Sequence, residues 1–340
     1  MNKTYFIADI AANHDGSLER AKKLCLLAKE SGADAAKFQH FKAKSIVSDK
    51  GFKNLGSQQS HQAKWEKSVY DVYDDASVPL DWTPELKLYC DEIGIDFFTT
   101  PYDLDYVDYL DNFVSRYKIG SGDITWHKML HKVASKGKQV MIATGASTIQ
   151  EVIEAVNILQ QYNIKICLMQ CNNNYTVNDE NFKYINLNVL KLYKTLFPKI
   201  ELGLSDHTPG DITVLGAVTL GATIVEKHFT DDNDREGPDH PFSMNPKTWK
   251  EMVTRTRLLE LSLGDAIKKV EENESETVVL QRRSIRTTKD LPKYHILQEE
   301  DLIEVRPCPE DAILPSENII GKTLNVDLSE NNYLKYEYIR

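Results

Sequence analysis

YFIADIAANHDGSLERAKKLCLLAKESG, residues 5–32, passes from one periodicity to another within 28 residues. Residues 5–12 are an apolar run of strand length. From residue 17 the spacing places Ala21, Leu24 and Ala28 on one helical face, with Ser17 as N-cap and Gly32 as the stop. This is one βα unit, and its texture recurs along the chain. Further strand-like runs stand at 34–41, 95–101, 116–121, 139–144, 164–171, 200–205 and 222–228. Helical patterns follow at 83–93, 104–113, 127–136, 148–162, 187–197, 211–220 and 247–263. Eight βα units ending near residue 264 have the size of a closed (β/α)₈ TIM barrel, whereas an open doubly wound sheet has fewer units. The expected fold class is therefore α/β, with residues 1–264 forming the barrel.

Two segments break the alternation. Residues 42–80, rich in Lys, Ser, Gln and Tyr, are too long for an ordinary connection and read as an insertion over one end, able to serve as part of a lid. After Gly264 the charged stretch 265–281 reads as a linker with a helical start. Residues 282–340 hold short β-type runs between turns, a small mainly β domain whose limited core favours docking to another surface.

Composition narrows the class of partner. With 340 residues and 41% hydrophobic content the chain can bury a large core. A net charge of −10 argues against general binding to nucleic acid or anionic membranes, yet permits a local basic pocket for a small anion. The five cysteines, Cys25, Cys90, Cys167, Cys171 and Cys308, are odd in number and scattered, which fits a reducing cytoplasm. Neither a signal-peptide core nor a membrane-length apolar run is present, so the expectation is a soluble cytoplasmic protein.

In a barrel of this kind the reacting groups sit at the C-terminal strand ends. Those ends carry Asn13, His14 and Asp15; Lys37 and Gln39; Thr99 and Thr100; Lys118, Ser121 and Asp123; Thr144; Asn172, Asn173 and Tyr175; Ser205, Asp206 and His207; and His228. About half would be structural or merely solvated. Lys37 and Lys118 stand inside apolar strands, in DAAKFQHF and YKIGSGD, where an unpaired ammonium is costly. Asp9 and Asp123 are candidate protein partners; the other reading is a phosphate and carboxylate cradle built with Thr100, Ser121, Ser205 and the Gly120–Gly122 turn. His207, in LSDHT, and His228, in EKHFTDDNDREGPDHPFSMNP, end neighbouring strands. Two imidazoles with open positions suit a catalytic divalent ion; hydrogen-bonded structural histidines are the alternative.

The motifs ADIAANHDGS, KFQ, KIGSGD, ATGAS, CNNNY, GLSDHT, EKHFTDDNDREGPDH and SMNP resemble those of the sialic acid synthase, or bacterial nonulosonic acid synthase, family, which includes N-acetylneuraminate, legionaminate and pseudaminate synthases. The resemblance covers nearly the whole chain, with the C-terminal segment similar to that family's antifreeze-like (SAF) domain. It implies a transferase that condenses phosphoenolpyruvate with an N-acetylated amino-sugar aldehyde, giving a nine-carbon 2-keto acid and phosphate. It further implies Mn2+ or Mg2+ on His207 and His228, with Lys37, Lys118, Ser121, Thr100, Asn173 and Ser205 around phosphoenolpyruvate. Gln39, Tyr175 and Asp239 match other positions of that active site, Asp9 and Asp123 its acid/base carboxylates, and Arg306 a residue supplied by the neighbouring chain of a domain-swapped homodimer.

The chain also departs from that pattern. Asp9 and Asp123 replace the usual Glu, Ala143 a common Ser, Gln170 a common His, and Cys308-Pro309 a glycine-rich segment. Shortening both carboxylates opens the possibility of a different acceptor sugar. The competing functions are a related phosphoenolpyruvate-dependent enzyme with another aldose, a metal-dependent aldolase using pyruvate, and a non-catalytic carbohydrate-binding homologue.

Overall fold

The computed structural model describes residues 3–55, 65–175 and 178–340. Its chain forms two compact units, Met1–Gly264 and Asp265–Arg340.

The first unit is a closed barrel of eight parallel strands in sequence order: β1 (Tyr5–Asp9), β2 (Ala35–His40), β3 (Asp96–Pro101), β4 (Arg116–Ile119), β5 (Gln139–Ala143), β6 (Ile166–Cys171), β7 (Glu201–Asp206) and β8 (Ala222–His228). β1 pairs with β8 to close the ring. The strands read as apolar runs because both faces are covered, side chains filling the interior and helices packing outside. Helices Leu18–Glu30, Trp82–Ile93, Leu104–Leu110, His127–Ala134, Ile149–Gln160, Val189–Leu196, Ile212–Thr219 and Pro246–Leu263 follow the strands in turn, so the eightfold alternation read from the sequence is the architecture. Helix 18–30 starts where Ser17 Oγ accepts from Arg20 N at 3.3 Å, and it buries Ala21, Leu24, Cys25 and Ala28. Full burial of a side chain such as Leu24 contributes about 2 kcal/mol. At Gly32, φ is +93°, which favours glycine, and an added Cβ would meet the Val253 side chain at 3.2 Å, a tight contact.

Register sets which side chains meet. Asp9 stands opposite Lys37 on β2 and opposite His228 on β8, and Ser205 opposite Glu226. Of the 42–80 insertion, residues 56–64 lie outside the described residues; the rest is not an irregular loop but contains helices Ala43–Ile46, Asp49–Asn54 and Val69–Asp75. No helix among the described residues is long and apolar enough to cross a membrane, and all five cysteines are free and buried.

The second unit contains β9 (Ser284–Thr287) paired antiparallel with β10 (Leu302–Val305), over a core that includes Ile285, Leu297, Ile313, Leu324 and Leu334. Asp301 is buried, accepting from Gln298 N at 2.9 Å, with Lys289 at 2.7 Å and His295 at 2.6 Å. The stretch read as a linker differs from expectation at its end. Ser275–Gln281 is helical, and Val279 O accepts from Cys308 N at 2.9 Å, so the backbone bonding of this segment joins it to the small unit.

Candidate active site

At the C-terminal end of the barrel the two lysines are buried and paired. Lys37 Nζ lies 2.7 Å from Asp9 Oδ2 and 3.8 Å from Glu226 Oε1, and donates to Thr100 Oγ1 at 3.3 Å. Lys118 Nζ donates to Glu226 Oε1 at 3.1 Å, and Ser205 Oγ donates to the same oxygen at 3.2 Å. The sequence offered Asp9 and Asp123 as partners. Asp9 serves Lys37, but the carboxylate serving Lys118 is Glu226, which the sequence reading missed. Its signal was available: Glu226 stands two residues before His228, so strand alternation gives it the same facing as the histidine. Glu226 Oε2 is buried without a hydrogen-bond partner.

Beside the lysines the ends of β4, β5 and β6 converge. Ser121 Oγ accepts from Gly145 N at 2.9 Å, and Cys171 Sγ approaches Asn173 Oδ1 at 3.3 Å. A Cβ on Gly145 would fall 2.3 Å from Asn173 Oδ1 and 2.9 Å from Ser121 Oγ, so glycine lets the backbone come close to both polar groups. Other polar strand-end residues bond or pack within the barrel, although Asn13 Oδ1 is buried without a hydrogen-bond partner. Asn13 donates to Phe229 O, Thr144 bonds Met169 O and Tyr193, His14 packs on Trp82, and Asp206 is tied to Lys227, Thr208 and Thr213.

The histidine pair adjoins both groups, His207 through Cys171 and His228 through Asp9. The rings of His207 and His228 are 5.4 Å apart, with Tyr175 at 4.2 Å from the first and Phe242 at 5.0 Å from the second. His207 Nδ1 is 2.9 Å from Asn172 O, which fixes a proton on that nitrogen and leaves the lone pair on Nε2 when the ring is neutral. His228 Nε2 is 3.7 Å from Asp9 and Nδ1 is 3.7 Å from Asp239, and Nδ1 is buried with no hydrogen bond. Burial pushes the His228 pKa down to about 3, so the ring is neutral at pH 7. Burial acts the same way on His207, but Cys171, the Asn172 carbonyl and Asp206 together outweigh it and raise the pKa. A neutral ring with an unsatisfied nitrogen fits a metal ligand. Among the described residues, however, no group of three or more His, Cys, Asp or Glu side chains is arranged to hold an ion. A metal on the histidine pair would thus depend on water or substrate for its remaining positions.

Three carboxyls surround this centre in different states. Burial alone would raise Asp9, but Lys37, then His228, and the bonds from Lys37 and Gln39 hold it below the usual carboxylate range. Gln39 Nε2 donates to Asp9 Oδ2 at 3.0 Å. Burial raises Asp123 to about 6. Asp239 also reaches about 6, raised first by burial and further by Asp9, despite accepting from Ala12 N at 3.1 Å. The barrel mouth above is lined by Gln39, Tyr175, His228 and Asp239 together with residues of the 42–80 insertion. Arg306 belongs to the second unit, where its Nε donates to Gln281 O at 2.6 Å.

Comparison with known proteins agrees with this geometry. The NeuB family profile matches residues 24–268 and the SAF domain profile residues 282–340. The chain is 36% identical over 344 residues to the N,N'-diacetyllegionaminic acid synthase of Campylobacter jejuni, covering 100% of both chains. It is 31% identical to the human N-acetylneuraminate-9-phosphate synthase, covering 98% of this chain and 92% of that one. Among solved structures, the N-acetylneuraminic acid synthetase of Leptospira borgpetersenii superposes with a TM-score of 0.70 at 27% identity, over 82% of this chain and 90% of the other. A TIM barrel with buried lysines and paired histidines at its C-terminal end, followed by a SAF domain, makes this chain a member of the NeuB family of sialic acid and related nonulosonic acid synthases.

Proposed function

We propose that the protein condenses phosphoenolpyruvate with the open aldehyde form of an N-acetylated six-carbon amino sugar, yielding a nine-carbon 2-keto acid and inorganic phosphate. The observation that carries this reading is the meeting, at one end of the barrel, of two buried lysines, a neutral histidine with an unsatisfied nitrogen, and two carboxyls whose pKa is about 6.

Lys37 and Lys118 receive the phosphate and carboxylate of phosphoenolpyruvate, with hydroxyls from Thr100, Ser121 and Ser205 and the amide of Asn173 completing the cradle. Because Lys118 already bonds Glu226, the incoming anion competes with that carboxylate for it. His207 and His228 would hold a divalent ion, manganese or magnesium, which when bound supplies Lewis-acid polarisation of the aldehyde. C3 of phosphoenolpyruvate then bonds to the aldehyde carbon, and the carbonyl oxygen takes up a proton to become a hydroxyl. Water adds to the electron-poor C2 and loses a proton, after which the C2–O bond breaks and phosphate leaves. Asp123 and Asp239 can exchange protons near neutral pH, whereas Asp9 stays ionised and orients Lys37 and Gln39.

The test supplies the purified protein with phosphoenolpyruvate, Mn2+ and a panel of N-acetylated aldoses. Expected are phosphate release that requires sugar, a product with the mass of sugar plus pyruvic acid, and oxygen from labelled water in the product rather than in the phosphate. A chelator or His228→Ala should stop turnover with the barrel still folded. Sugar binding without phosphate release would identify a carbohydrate-binding homologue, and turnover of pyruvate in place of phosphoenolpyruvate an aldolase.

A further inference from the structure

The residues immediately before the two histidines are themselves paired. Asp206 on β7 stands in register with Lys227 on β8, each one position ahead of a histidine. Side chains alternate along a strand, so Glu226 faces the barrel interior and Lys227 the outside of the wall, under helix Ile212–Thr219. There Lys227 Nζ donates to Asp206 Oδ2 and, at 2.6 Å, to Thr208 O. Asp206 Oδ2 also accepts from Thr208 Oγ1 and from Thr213 Oγ1, each at 2.8 Å. Asp206 and Lys227 are both 2% exposed, and Thr208 is fully buried. One ammonium thus holds the chain on either side of His207 to the position that precedes His228, from the face of the wall opposite the two rings.

The β7–β8 ladder ends at this pair, and His207 lies beyond the last residue of β7, so pairing between these strands does not by itself fix its ring. A buried ion pair carries a desolvation cost, and replacing one with uncharged side chains of similar volume is often neutral or stabilising. Its presence therefore argues little for stability. What it does supply is direction, since satisfied donors and acceptors admit one arrangement where apolar packing admits several. We propose that Lys227, acting with Asp206 and Thr208, is a positioning residue that fixes the separation of the His207 and His228 rings, 5.4 Å between centroids, so that both serve one divalent cation. The cation clause rests on the condensation reading above; the spacing of the rings does not.

The experiment compares the full-length parent with Asp206→Asn and with the double variant Asp206→Asn, Lys227→Met. Each is read by its melting temperature, by calorimetric titration with Mn2+ in the absence of sugar and phosphoenolpyruvate, and by ring positions in crystals grown with and without Mn2+. Asp206→Asn leaves the ammonium without its carboxylate and should melt lower. Lys227 can still donate to Thr208 O, so the folded protein should keep its ring spacing and Mn2+ affinity. The double variant removes both charges and should melt close to the parent. It should nevertheless bind Mn2+ roughly 10- to 100-fold more weakly, the usual effect of losing a group that orients a ligand without touching the metal, with the ring centroids displaced from 5.4 Å. Stability and affinity then rank the two variants in opposite orders, which a purely structural ion pair would not do. If the rings are displaced but the parent itself takes up no Mn2+, the spacing role stands and the cation reading falls. Rings at the parent spacing in the double variant, unchanged Mn2+ affinity where the parent binds it, or a double variant that does not fold each overturn the proposal.

Discussion

Burial lifts Asp123 to about 6 while Lys37 holds Asp9 down, so carboxyls at one barrel end differ in protonation near neutral pH. If Asp123 takes the proton from water it must be ionised, and kcat/KM should rise with pH through about 6. Asp123→Asn should lower kcat roughly 100-fold and remove that limb. The same shift has a stability consequence of opposite sign. The folded pKa lies above the unfolded one, so this group costs nothing while both states are protonated, and stability falls as pH rises through about 6. Asp123→Asn should therefore melt higher than the parent at pH 7.5, by about 1 to 2 kcal/mol after solvent screening of the part-exposed side chain, and equally at acid pH. Melting curves at both pH values check this. The lysines call for a paired test. Lys118→Met takes from buried Glu226 its nearer ammonium, leaving Ser205 and the Lys37 charge at 3.8 Å, and should destabilise by about 2 to 3 kcal/mol, below the full cost of an unpaired buried charge. Lys118→Met with Glu226→Gln removes both charges, and should regain much of that stability without regaining phosphoenolpyruvate affinity by titration calorimetry. Normal affinity in the double variant would make Lys118 a purely structural ion-pair partner.

At the scale of elements, the strands were legible because two-sided burial writes continuous apolar runs, and the helices because one-sided burial writes a 3.6-residue period. The insertion was not legible as structure: its helices of 4, 6 and 7 residues are too short to show a period, and two of them contribute Ile46 and Val72 to the cleft. The turn after β5 carries its own prediction. Gly145→Ala would press its methyl into Asn173 and Ser121 while leaving the strand intact. Phosphoenolpyruvate affinity should drop roughly 10- to 100-fold through displaced cradle groups, with little change in melting temperature. Unchanged affinity would remove Asn173 and Ser121 from the cradle.

For the whole molecule, the family resemblance of Arg306 leads to a test of assembly. We expect a homodimer in which the SAF domain of one chain completes the site of the other, its guanidinium contacting the sugar. His228→Ala and Arg306→Ala chains, each inactive alone, should regain activity when mixed dimers form, because one barrel in each then holds an intact set. Subunit exchange is verified by mass. Verified mixed dimers without any gain would show that Arg306 is not supplied across chains.

The eight βα units, the change of texture after Gly264 and the strand-end positions of Lys37, Lys118, His207 and His228 are legible in the residues alone, because strand and helix periods and turn residues are local properties. Which charges meet depends on the closed ring. Glu226 reaches Lys118 across the barrel interior from β8 to β4, a pairing 108 residues apart that ring closure and register create. The same holds for the protonation of Asp123 and the unsatisfied nitrogen of His228, since desolvation depends on everything packed around a group rather than on its neighbours in sequence.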